Sequence, residues 1–353
     1  MLAWLRAEHC GALLAAARSR EVYVFQTPGP GPRGFEALLA GPTLLLREVA
    51  RDLPEDLGAP LARAADLFRR PRPSPRLRHA RGVLDLARPV VMGIVNVTPD
   101  SFSDGGLFLE TAAATEHARR LVAEGAGVID VGGESTRPGS EPVPVEEELR
   151  RVLPVVEALA PLGVPLSIDT RKPEVARRAL EAGAAIVNDV GGLRDPQMIA
   201  VAARAQAAVI ALHMRGTPAD MQKDPRYFDL LGEVTEFLAA AAERAERGGI
   251  LPEAIAVDPG IGFGKTLEHN LALLARLDEI ALLARPVVVG VSRKRFLGAL
   301  TGRDTSGRLS GGLAATAIAV LRGASIVRTH DVRETVDAVA VAAGIAGLPS
   351  AGR

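Results

Sequence analysis

Polar and charged side chains recur in this chain at one kind of place, directly after a short apolar run. Asn96 ends VVMGIVN, and Thr136, Arg137 and Pro138 follow GVIDVGG. Asp169 closes SID, Asn188 closes IVN, and His213 and Met214 follow the apolar run before them. Asp258 closes IAVD, Lys294 follows VVVGVS, and Arg328 and His330 stand in SIVRTH. Asp169, Asn188 and Asp258 are short planar groups. Such groups read the edge of a flat nitrogen heterocycle, because a carboxylate accepts two parallel hydrogen bonds. Lys294 adds a cation for a ring nitrogen or carbonyl. Arg137, Arg328 and His330 are donors suited to phosphate oxygens, and Thr136 adds a hydroxyl. Asn96 offers a neutral oxygen to Mg²⁺, which takes few protein ligands when phosphates supply the rest. Together these residues describe a polar slot for a nitrogen heterocycle beside an anion pocket.

For those residues to meet, the apolar runs must lie side by side and point one way. From about residue 83 onward, strand-like runs alternate with helix-like segments. Strands are expected near 90–96, 127–131, 165–169, 185–189, 207–213, 254–258, 286–291 and 325–329. Helices are expected near 110–124, 144–160, 173–182, 195–205, 227–248, 267–284, 307–322 and 331–345. In the second helix Val145, Leu149, Val152, Leu153, Val156 and Leu159 fall on one face. Strict alternation implies parallel strands joined by right-handed crossovers. Eight such units in about 250 residues make a (β/α)8 TIM barrel, with an open doubly wound sheet as the alternative. A barrel demands that functional side chains gather at the C-terminal ends of its strands. All eight ends carry one, although any single one is compatible with a helix cap or a salt bridge.

Residues 1–80 read as a small α/β extension of unknown role. An Ala/Leu-rich helix is expected over about 2–18, a strand over 21–25 and a helix over about 59–69. A Pro/Arg-rich linker, RRPRPSPR, follows near 69–81. The barrel is expected over 83–347.

Composition narrows the partners. Lys plus Arg and Asp plus Glu each number 42, so the chain is neutral overall. That gives no general support for nucleic acid or an anionic membrane. Aromatic residues are 3% of the chain, too few for a base-stacking platform. Cys10 is the one cysteine, which excludes intrachain disulfides and points to a reducing, cytoplasmic setting. Arg6, Glu8 and His9 break the N-terminal apolar stretch, so it does not read as a signal peptide, and no run approaches the roughly 20 residues of a membrane helix. The segment GIGFGK at 260–265 lacks the spacing of a phosphate loop and reads as a flexible connection carrying Phe263. His213 has no partner at metal spacing and reads as a hydrogen-bonded wall residue. His79, His117 and His269 read as surface residues.

MGIVNVTPDSFSDGG, IDVGGESTRPGS, SIDTRKPEVA, IVNDVGG, HMRGTP, DPGIGFGK, GVSRKRFLG and RTHDV stand in this order, one per strand end. Together they resemble the dihydropteroate synthase family over about 83–345. The resemblance implies condensation of 6-hydroxymethyl-7,8-dihydropterin diphosphate with 4-aminobenzoate, giving 7,8-dihydropteroate and diphosphate for folate synthesis. It implies that Asn96 binds Mg²⁺ with the diphosphate and that Asp169, Asn188, Asp258 and Lys294 hold the pterin. Thr136, Arg137, Arg328 and His330 take the diphosphate side. The same resemblance puts Asn96, Arg137, Lys294, Arg328 and His330 at the chemistry and Met214 among the substrate-binding residues. Loops 97–106 and 134–141 then close over the site, with Phe102, Pro138 and Phe263 walling the aminobenzoate pocket. A homodimer, formed through the helices on either side of the eighth strand, is also implied. A pterin-binding methyltransferase barrel and an inactive pterin-binding paralogue are the competing readings.

Overall fold

Eight short runs rich in Val, Ile and Ala form the strands of a barrel, because β-branched side chains buried on both faces suit a parallel strand. The computed structural model describes residues 2–6, 23–26, 35–40, 43–55, 58, 59, 61, 62, 76–97, 106–135, 140, 142–217 and 220–348. The chain divides into two compact units, one built mainly from Met1–Pro73 and one beginning at Ser74.

In the first unit β1 (Leu2–Arg6), β2 (Tyr23–Gln26) and β3 (Phe35–Ala40) form an antiparallel sheet in the order β1-β3-β2. A helix, Thr43–Arg51, follows. The helix expected over 2–18 thus begins as a strand, and its remainder lies outside the described residues. Pairing with Phe35–Ala40 supplies the backbone partners of residues 2–6, and this outweighs the helix preference of Leu and Ala, which tertiary context routinely overrides. The linker expected over 69–81 lies outside the described residues only to residue 75. From there β4 (Arg76–His79) and β5 (Gly82–Asp85) make a hairpin. Leu77 is fully buried and belongs to the cluster that fills the barrel.

The barrel closes in the order β6 (Val90–Asn96), β7 (Val128–Gly132), β8 (Leu166–Asp169), β9 (Ile186–Asp189), β10 (Ala208–Leu212), β11 (Ile255–Asp258), β12 (Val287–Gly290) and β13 (Ala324–Thr329), which pairs back with β6. All of these pairings are parallel. The helices between them are Gly106–Ala123, Val145–Leu159, Pro173–Ala182, Pro196–Arg204, Leu230–Arg247, Leu267–Ala275 with Leu277–Ala281, Leu309–Leu321 and Val332–Ile345. The segment expected as one helix over 267–284 is therefore two, and an additional helix, Arg295–Thr301, follows β12. Local chemistry fixes the starts. Proline occupies the first position at 173 and 196, Asp195 accepts from the Gln197 N–H at 2.8 Å, and Thr266 and His269 cap each other's backbone. His269 is thus a capping residue.

The register stacks the inward side chains in layers of four, each layer drawn from alternate strands. Asp130 pairs with Ser167 and Ser167 with Ile186, so Asn188, two residues on, stands level with Asp130. The same two-residue climb leads from Asn188 through Ile210 and Ala256 to Asp258, and from Arg328 through Met92 and Val128 back to Asp130. The lowest layer is Val128, Ile186, Ala256 and Ile326. Met92, Ser167, Ile210 and Val288 form the next. Apart from Ser167, these residues belong to one apolar cluster. The third layer is Asp130, Asn188, Asp258 and Arg328, with no apolar member. The barrel core thus ends abruptly in charge.

Candidate active site

Ionised groups at this depth must be paired, and they are. The Arg328 guanidinium donates from Nε to Asp130 Oδ2 at 2.6 Å and from Nη2 to Asp169 Oδ2 at 2.7 Å. Asn188 Nδ2 donates to the same Asp130 oxygen at 3.2 Å. A carboxylate only accepts, so the amide nitrogen must face Asp130 and the amide oxygen must turn away. Asp130 Oδ1, Asp169 Oδ1, Asn188 Oδ1 and Ser167 Oγ are buried and have no hydrogen-bond partner among the described residues. Three acceptors and a hydroxyl in and next to the third layer are thus left without a protein partner. Burial pushes the Asp169 carboxyl up, against the pull of Arg328. It does the same to Asp258, against the pull of Lys294 and of the Gly260 N–H, which Asp258 Oδ1 accepts at 2.7 Å.

Lys294 enters from a sharp turn after β12. Arg293 sits there in the left-handed region at φ 59°, a costly conformation for a residue with a side chain, and its guanidinium is held to Asp331 at 2.6 Å. Lys294 Nζ donates to the Ile261 carbonyl and lies 4.6 Å from the centre of the Phe263 ring, a cation–π contact. Burial pulls its ammonium down to about 8, against Asp258. Gly290 lies beside both cations: a Cβ there would make ordinary contact, 3.7 Å from Arg328 Cβ and 3.9 Å from Lys294 Nζ. His330 Nδ1 lies 3.0 Å from Ser292 Oγ, which joins the ends of β12 and β13.

Lys265 clamps the connection after β11. Its buried Nζ lies 2.9 Å from His213 Nδ1 and donates to the Phe263 carbonyl at 3.0 Å. Burial pulls this lysine to about 7, and burial together with Lys265 holds His213 near 3, so His213 is a neutral imidazole. Gly260 must lack a side chain, since a Cβ there would collide with the His213 carbonyl. Phe263 packs against a cluster of Val190, Leu212, Met214 and Met221.

Asn96 ends β6 opposite Gly132, which in turn faces Asp169. A Cβ on Gly132 would come within 3.6 Å of Asn96 Oδ1 and 3.5 Å of Asp169 Cβ, so the glycine leaves a cradle between them. No cluster of three His, Cys, Asp or Glu able to hold a metal exists among the described residues. A divalent cation at Asn96 would draw one neutral oxygen from the protein and the rest from phosphate and water, which suits Mg²⁺. Beside this cradle Lys172 Nζ donates to Glu134 and to the fully buried Glu148, and Arg171 pairs with Glu134 at 2.9 Å.

Residues 92–330 match the family described as pterin binding enzyme. The dihydropteroate synthase of Escherichia coli is 50% identical over 259 residues, 73% of this chain and 92% of that protein. The chain belongs to the dihydropteroate synthase family. The Xanthomonas albilineans dihydropteroate synthase, solved with 4-aminobenzoic acid, is 49% identical with a TM-score of 0.73 over 78% of this chain and 100% of that one. The Yersinia pestis dihydropteroate synthase, solved in complex with a sulfonamide drug, is 44% identical with a TM-score of 0.73 over 77% of this chain and 99% of that one. As a dihydropteroate synthase family member the chain is a transferase.

For a dihydropteroate synthase site, the structure brings Asp169, Asn188, Asp258, Lys294 and Arg328 into one connected set, with Phe263 and Met214 in the apolar wall beside it. Asn96 is two strands from Asp169, with Gly132 between them. His330 is tied to Ser292. Phe102, Thr136, Arg137 and Pro138 lie outside the described residues. Three participants escape a reading of strand ends. Asp130 is inside its strand, and the signal was a lone carboxylate in the apolar run GVIDVGG. Lys265 is buried, which a GK pair does not show. Glu148 lies on a helix whose Glu146, Arg150 and Glu157 face water. No described helix is long and apolar enough to cross a membrane.

Proposed function

We propose that this chain condenses 6-hydroxymethyl-7,8-dihydropterin diphosphate with 4-aminobenzoate, forming 7,8-dihydropteroate and releasing diphosphate. The carrying observation is the ring of buried acceptors lacking donors: Asp130 Oδ1, Asp169 Oδ1 and Asn188 Oδ1. Each such group costs about 1–3 kcal/mol while unpaired. A dihydropterin carries N–H donors on its 2-amino group and ring nitrogens, so its edge suits these oxygens. Lys294, between Asp258 and Phe263, presents a cation to the ring's acceptor side.

The reaction then asks for little covalent machinery. The aryl amine is a nucleophile as it stands, and its nitrogen forms the new bond to the pterin methylene as the carbon–oxygen bond to diphosphate breaks. Held near 3 by burial and by Lys265, His213 is a weak base, and the proton leaves with the departing diphosphate or water. Arg328 and His330 sit at the end where the diphosphate charge develops, and preorganised cations there stabilise it. Asn96 would hold Mg²⁺ together with the diphosphate oxygens, and the ion would offset the charge of that leaving group.

A diphosphate-release assay with both substrates, run with and without Mg²⁺ and with a sulfonamide as competitor, tests the reading. Release that needs 4-aminobenzoate and yields to the sulfonamide is expected; release indifferent to the amine would reject the assignment. An Asn96→Ala variant with an unaltered Mg²⁺ titration would remove the metal role.

The reading extends to assembly and location. Ile318 and Leu321 on one helix and Val341 and Ile345 on its neighbour are exposed apolar side chains, up to 72% accessible at Ile345. They support a homodimer, which sedimentation of the wild type and of Ile345→Glu would test. The lone cysteine supports a cytoplasmic location.

A further inference from the structure

The substrate-binding reading above, on which this inference rests, uses one oxygen of Asp130, Oδ1; the other, Oδ2, is held by protein side chains. We infer that Asp130 is a positioning residue that ties the heterocycle slot to the diphosphate end of the site. Its placement makes it the junction. It lies two strands from Arg328 in one direction around the barrel and two strands from Asn188 in the other, at the same height as both. One oxygen, Oδ2, receives both the Arg328 Nε bond at 2.6 Å and the Asn188 Nδ2 bond at 3.2 Å. Moving either partner therefore moves the other's anchor.

Burial explains why the tie is rigid. Asp130 is wholly inaccessible, and its layer rests on the filled apolar layers beneath, so no side chain can yield downward. Its charge is also what sets two orientations. The carboxylate forces the Asn188 amide to present Oδ1 away from it, and it holds the Arg328 guanidinium by Nε while Nη2 reaches Asp169. An asparagine in its place removes that compulsion, because an amide accepts on one side and donates on the other. Asn188 is then free to flip, and Arg328 loses its charged partner at Nε.

Asp130→Asn tests this with purified full-length protein. The expected result is a native melting transition, with affinity for the pterin diphosphate by calorimetry and kcat/KM both reduced about 10- to 100-fold, the loss of a hydrogen bond between charged groups. The KM for 4-aminobenzoate is expected to stay within about twofold, since the carboxylate touches nothing in the Phe263 wall; a general loss of structure would move both constants together. A double variant with Arg328→Lys is expected to lose less than the sum of the two single losses. Wild-type affinity for the pterin diphosphate in a folded Asp130→Asn protein would overturn the inference. If Asp130→Asn does not fold, Asp130→Glu keeps the charge but displaces the carboxylate by one methylene, and unchanged affinity there would overturn it equally. An inactive wild type would reject the assigned reaction, whereas an active wild type with an unaffected variant rejects only the role of Asp130.

Discussion

Lys265 is a cation enclosed by protein, and Lys265→Met measures what that enclosure costs. Burial moves its ammonium from 10.5 to about 7. That gap corresponds to about 5 kcal/mol between the two protonation states. Folded Lys265 releases its proton near pH 7, while the same lysine in the unfolded chain keeps its proton to about 10.5. Between those values the unfolded state binds more protons, so stability rises with pH. Integrated from about pH 6 to about pH 9, this one group contributes about 2–3 kcal/mol of increasing stability. Methionine matches the length of lysine and cannot titrate. It also takes a donor from His213 and from the Phe263 carbonyl, at about 1–3 kcal/mol each, so the two effects on absolute stability oppose one another. The slope with pH is free of that cancellation. Urea unfolding of both proteins at about pH 6 and about pH 9 should show the wild type gaining about 2–3 kcal/mol more than the variant. Equal gains would refute the reasoning, because Lys265 would then share the protonation of a solvated lysine.

Lys294 is held at about 8, protonated below that value and neutral above it, so kcat/KM should fall as pH rises through about 8, and Lys294→Arg should remove that limb of the profile. Arg328 binds Asp130 and Asp169 with two separate nitrogens fixed in one plane, a geometry that a single lysine nitrogen does not reproduce, so Arg328→Lys should lower kcat/KM about 10- to 100-fold in the diphosphate-release assay. Lys172 neutralises the fully buried Glu148, so Lys172→Met should destabilise the protein by about 3–5 kcal/mol in urea unfolding, with partial recovery in the double variant Lys172→Met/Glu148→Leu.

The barrel was legible because its signal is repeated. Each run of Val, Ile and Ala closes with a polar residue and a turn, and helix starts at Pro173 and Pro196 announce themselves chemically. Most strand bounds fall within a residue of those expected, and Asp169, Asn188, Asp258 and Arg328 meet as strand-end residues should. What escaped depends on pairing between distant segments. Residues 2–6 carry a helix-compatible composition and become strand because Phe35–Ala40 lies beside them. Arg76–His79 looked like linker because the prolines before it and its own arginines hide Leu77, one apolar side chain that the barrel buries. Asp130 escaped because a strand interior is where an apolar residue belongs, and its partners are 58 and 198 positions away. Glu148 escaped for the same reason, since Lys172 comes from another element.

The layered register has a bearing on how durable an inhibitor of this site can be. A molecule gripping the third layer contacts side chains that also hold one another: Asp130 anchors two neighbours, and Arg328 bridges two carboxylates. An escape substitution there strips a partner from groups already lacking water, so the mutant loses natural substrate and stability in the same step. The Phe263 wall is different. Its side chains meet one another through apolar contact, where changes of shape are tolerated more readily. A compound gripping the third layer therefore faces a narrower set of viable mutants than one seated against the Phe263 wall.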